Sequence, residues 1–171
     1  CRQKMNEELN NLITALRDEL TQYGEVLALM QEQQQFIINR SANELLLNLN
    51  EVNEQMEKVA AARNHRDACR QALFTTLGAS EEMTFRQMTG MLPPEVQPLL
   101  KALVEEINQL LERIQKWLRQ NHMLLKRSLD LMKEIMQGLF PSSSATAGTY
   151  GRGGQMSPVT PPPSTLYDGI I

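Results

Sequence analysis

The chain has 171 residues, a net charge of −3 with both signs interspersed, and 42% hydrophobic but only 5% aromatic residues. That size predicts one folded domain, and abundant leucine and methionine with few aromatic residues suits helices better than strands. Nothing here would neutralise a phosphate backbone, so nucleic acid is excluded as a partner; no apolar run approaches the ~18 residues that span a bilayer, so no stable membrane insertion is expected.

The first predicted helix covers about 5–38. Leu9, Leu16, Tyr23, Met30 and Ile37 recur every seven residues, flanked by Leu12 and Val26 on one side and Ile13, Leu20 and Leu27 on the other. This is an amphipathic stripe at helical period. Gly24 interrupts it, either for close helix packing or as a tolerated defect. Ser41 followed by Glu44 reads as a capping box that starts a second helix near Ala42. That helix runs to about Leu77, where Gly78 can stop it. Its stripe is Leu45, Leu49, Val52, Met56 and Val59, then Leu73 and Leu77. Arg63, Arg66 and Arg70 interrupt the second half and are expected at the solvated rim, their stems covering apolar surface.

Ser80, Glu81, Glu82 and Met83 predict a short helix over 81–90, ending at Gly90. Pro93 and Pro94 make a sharp start for a last helix over 94–139, since proline is tolerated in a first turn. The expected fold class is all-α: an elongated antiparallel bundle of three long helices plus one short one, spanning 1–140. Beyond Pro141, 19 of 31 residues are Pro, Gly, Ser or Thr, which predicts a disordered tail over 141–171.

The last helix carries the main functional signal. With Ile107 at heptad position a, its a, d and e positions are apolar as far as Leu118, an arc of ~100° that suits one core face. After Asn121 the b position turns apolar too, with Leu129 and Met136, and the arc widens to ~160°. Surface of that kind on a protein without further helices usually binds something. Met123, Met132 and Met136 add an adaptable, polarisable lining. Asn121 and Ser128 sit one heptad apart on the stripe centre, placed either to select a partner or to bond within the bundle. Packing of the short helix on the same face, or burial of the stripe in a homodimer as a self-associating coiled-coil scaffold, are the competing explanations.

Catalysis finds no footing. His65 and Cys69 share a helix face, but they make half a zinc site at most. The tail's Gly151-Arg152-Gly153-Gly154 is no phosphate loop, and the glutamates are expected on solvated outer faces. Neither a metal nor a cofactor is expected. Two cysteines, Cys1 and Cys69, form no disulfide framework and fit a reducing, cytosolic setting. Leu166, Tyr167, Ile170 and Ile171 give the far end of the tail an apolar grip that could plug the exposed stripe.

The segment Asn121-His122-Met123-Leu124-Leu125-Lys126-Arg127-Ser128-Leu129 resembles the signature of the FlgN family of flagellar export chaperones. Thr149-Tyr150-Gly151-Arg152-Gly153-Gly154-Gln155-Met156-Ser157 is similar to that family's tail segment, and the helical layout agrees over about 1–157. The resemblance implies a cytoplasmic type III secretion chaperone for hook–filament junction proteins that delivers them to the export gate. By that likeness Asn121, Leu124, Leu125, Ser128 and Leu129 fall in the client-binding helix, and the widened stripe adds Met132, Ile135 and Met136. Tyr150 would touch the cytoplasmic domain of the export gate. Pro158 to Ile171 matches nothing in the family.

Overall fold

A computed structural model describes residues 2–79 and 83–139. The chain divides into two compact units, 1–134 and 135–171. Packing is described for the first; the second is described only over 135–139, the end of the last helix. Four helices follow one another: α1 (Arg2–Asn39), α2 (Ala42–Leu77), α3 (Phe85–Met91) and α4 (Gln97–Leu139). No strand occurs among the described residues.

Between α1 and α2 the chain reverses in two residues. Arg40 adopts a left-handed φ of 56°, and the Ser41 amide donates back to the Phe36 carbonyl at 2.9 Å. That pairing supplies an acceptor-side cap of the kind that ends helices. The Ser41 side chain caps nothing, so the capping box expected from Ser41 and Glu44 does not form. α2 does end as expected, with Gly78 left-handed at φ 65°.

The expected short helix begins later than predicted. Ser80, Glu81 and Glu82 lie outside the described residues, and Met83 and Thr84 are not helical. The cap is Thr84 instead: its hydroxyl accepts from the Gln87 amide, while Gln87 Oε1 accepts from the Thr84 amide at 2.9 Å. This reciprocal pair is the capping box proper. α4 begins at Gln97, after a turn through Pro94, with Pro98 in its first turn where a missing N–H is harmless.

α1 and α2 form an antiparallel hairpin, cross-linked where Glu19 meets Arg66, Gln22 meets Gln55, and Gln33 meets Asn48. α3 turns the chain at the open end of that hairpin, and α4 runs back alongside it parallel to α1. Leu12, Leu73, Met88 and Leu100 are wholly buried at this end. They join Leu9, Leu16, Phe74, Leu92, Leu103 and Ile107 in one core. Each such side chain contributes roughly 1.5–3 kcal/mol relative to exposure. Trp117 is half-buried against the core, as its d position predicts.

The inner face of α2 departs from its predicted stripe. Leu49 and Met56 are exposed, while Asn48 and Gln55 are buried. The amides face inward because each finds a partner on α1: Asn48 Nδ2 donates to the Leu29 carbonyl, and Gln55 Nε2 to the Gln22 carbonyl and Oε1. A buried amide with partners is tolerated where one without is not. Arg66 is likewise no solvated rim residue. Its side chain is only 11% exposed and lies 3.2 Å from the carboxylate of Glu19, itself 2% exposed. Glu19 is therefore an exception to glutamates on outer faces. Burial pushes the Glu19 carboxyl above its ordinary value, against the opposing pull of Arg66 and Arg63.

Candidate functional site on the second half of α4

α4 changes its surroundings at Asn121. Before it, Leu100, Leu103 and Ile107 are buried in the core. Asn121 is itself 2% exposed. Its Nδ2 donates to the Met30 carbonyl at 2.8 Å and to Gln33 Oε1 at 3.0 Å. Gln33 in turn donates to Asn48 at 3.2 Å. One line of amides therefore ties α4 to α1 and α1 to α2, and it sets Asn121 level with Asn48 near the start of α2. Asn121 Oδ1 is buried without a hydrogen-bond partner.

Past Asn121 the apolar side chains reach solvent. Leu124 and Ser128 are half-buried, on the d and a lines. Leu125, Leu129, Leu131 and Met132 are exposed, Leu129 by half its surface. Leu118, one turn before Asn121, is exposed as well. Leu118, Leu125 and Met132 are spaced by sevens and so form one line on the helix. At the end of the helix Ile135, Met136 and Leu139 are exposed. Of the predicted client-binding residues, Leu125, Leu129 and Met132 thus share an open face, while Asn121 lies beneath it as a tether to α1. Ile135 and Met136 belong to the second unit. Tyr150 and the whole segment 141–171, plug residues included, lie outside the described residues.

Sequence reasoning missed a second apolar surface. Leu46, Leu47 and Leu49 near the start of α2 are exposed, at the level that the amide line assigns to Asn121. The antiparallel hairpin places Arg63, Arg66 and Arg70 at the other end, beside the first half of α1. The triple leucine at 45–47 was the available signal.

Gly151-Arg152-Gly153-Gly154 lies outside the described residues, and His65 and Cys69 face each other as their spacing predicts. Cys69 Sγ lies 3.8 Å from His65 Nε2, but burial pushes its thiol up, away from the thiolate that a nucleophile or metal ligand requires. No cluster of three metal-ligating side chains occurs among the described residues. No described helix is long and apolar enough to cross a membrane.

The sequence pattern of one protein family, described as FlgN protein, matches residues 5–158. No match was found among curated proteins or among solved structures.

Proposed function

From the premise that this chain belongs to the FlgN family of flagellar export chaperones, we propose that it holds the C-terminal helical segments of hook–filament junction proteins. It keeps them from assembling early and delivers them, in the cytoplasm, to the export gate. The observation that carries this reading is the exposure of Leu125, Leu129 and Met132 on the helix that buries Leu100, Leu103 and Ile107. An amphipathic client helix would lay its apolar side along that face, a helix-in-groove mode that requires no nucleotide. Such a family works by holding, not by catalysis.

Replacing Leu125 or Leu129 with aspartate tests the client face. Both positions are open, so the circular dichroism of the variants should stay helical while affinity for a junction protein is lost. Retained affinity sinks the proposal. Tyr150 is the proposed contact with the cytoplasmic domain of the gate; Tyr150→Ala should spare client binding and weaken gate docking, and unchanged docking would count against that role. A second reading is self-association, favoured by the seven-residue spacing of Leu118, Leu125 and Met132. Sedimentation of the pure protein separates the two: a tight dimer without affinity for junction proteins supports a scaffold.

A further inference from the structure

Between Arg113 and Leu129, α4 carries five cations, Arg113, Lys116, Arg119, Lys126 and Arg127, and no acidic residue, in a chain whose net charge is −3. All five are exposed, and none pairs with a described carboxylate; the ion pairs among the described residues involve Arg66 and Arg70. Arg119, Lys126 and Lys133 fall at seven-residue intervals, in a row beside the open apolar face, with Asp130 the one carboxylate between Lys126 and Lys133. Lys126 stands three residues before Leu129 and Lys133 four after it, so both share its side of the helix. The start of α2 has the reverse charge: Glu44, Glu51, Glu54 and Glu57 are exposed, with no cation between Ala42 and Glu57. Asn48 and Asn121 are joined through Gln33, so the acidic and basic surfaces lie at one level of the bundle.

We propose that the open face of α4 selects an amphipathic helix with acidic flanks. Leucines at 118, 125 and 129 would take its apolar stripe, and the row of Arg119, Lys126 and Lys133 its carboxylates. The acidic start of α2 repels the same partner and keeps it off Leu46, Leu47 and Leu49. Complementary charge of this sort governs encounter rate and choice of partner more than total affinity, and salt weakens it. This inference rests on the proposed client-holding function and names the chemistry of the client segment.

The test uses the full chain and two synthetic helical peptides that share one leucine stripe, one flanked by glutamates and the other by lysines. The glutamate peptide should bind roughly tenfold tighter at low salt, an advantage that shrinks as salt rises. Arg119→Glu with Lys126→Glu, both at exposed positions and checked by circular dichroism, should reverse the preference. Equal binding of the two peptides, or none by either, overturns the proposal. So does self-association of the wild type that the same double variant abolishes, since the acidic start of α2 in a second copy would then be the occupant. Junction-protein C-terminal segments form the separate arm. If they bind but ignore salt and the double variant, this inference fails and the chaperone reading survives. If they do not bind while the peptide preference holds, the chaperone reading fails and the acidic-partner surface stands.

Discussion

Gly24 illustrates how little a residue's type reveals about its surroundings. A β-carbon built on it would meet nothing within 4 Å, so no close helix approach requires glycine there. Gly24→Ala should therefore stabilise the fold by about 0.5–1 kcal/mol, since alanine loses less backbone entropy in a helix; urea unfolding reads the change, and a loss of stability would mean that the site is tighter than it looks. Tyr23 shows the opposite case, a position that matters through its proton. Burial first, then the neighbouring Glu19 carboxylate, push its phenol up to about 12 from an ordinary value of 10. The folded state thus holds that proton more tightly than the unfolded chain does. The stability this represents is fully present below pH 10 and is lost as the pH rises through about 12. Over that window the loss should approach about 3 kcal/mol, and Tyr23→Phe should flatten it in denaturant titrations between pH 9 and 12. At this scale the sequence was readable for Leu9, Leu16 and Met30, whose burial their spacing announces. It was silent for Glu19 and Arg66, because each is buried on account of a partner 47 positions away.

Helix starts separate apparent caps from working ones. Thr84 has its hydroxyl and the Gln87 side chain in reciprocal bonds, whereas the Ser41 hydroxyl caps nothing. Thr84→Ala should accordingly cost about 1 kcal/mol, and Ser41→Ala less than about 0.5 kcal/mol. Thermal melts of the two variants decide it, and equal shifts would refute the distinction. Both sites have a capping sequence; what differs is the backbone before the helix. Thr84 is extended, with ψ 155°, and can aim its hydroxyl at the first turn, while Ser41 follows the left-handed Arg40 and is turned away from that geometry. The stripe of α1 was legible for a related reason. Its inner face is apolar except at Glu19 and Gln33, so period and burial largely coincide. On α2 they do not, because Asn48 and Gln55 point inward and leave Leu49 and Met56 outside. α4 was legible as a helix that outgrows its core, but the burial of Asn121 was not fixed by the heptad that placed it at the stripe centre.

In the first unit, the wholly buried leucines and the Gln33–Asn48–Asn121 amides gather at different levels. The end near α3 holds the wholly buried leucines, and the end near the α1–α2 turn holds Gln33, Asn48 and Asn121. The open faces of α2 and α4 both lie at the amide level, where fewer apolar side chains are consumed by the core. A three-helix arrangement was foreseeable from helix lengths and breakers. That both open faces share a level was not, because it depends on which residues the hairpin brings together. The two-residue reversal at Arg40 and Ser41 has a further consequence, for the order of folding. It lets α1 and α2 meet by zipping outward from a short closure, whereas Asn121 must find Met30 across a sequence separation of 91. Local contacts form early and distant ones late, as loop-closure entropy dictates. Asn121→Ala should then speed unfolding while leaving the folding rate nearly unchanged in stopped-flow kinetics; a slower folding limb would place α4 docking before the barrier. On this ordering a nascent chain forms its hairpin while the last helix is still being made, so the surface proposed to hold a client is the last part of the bundle to exist.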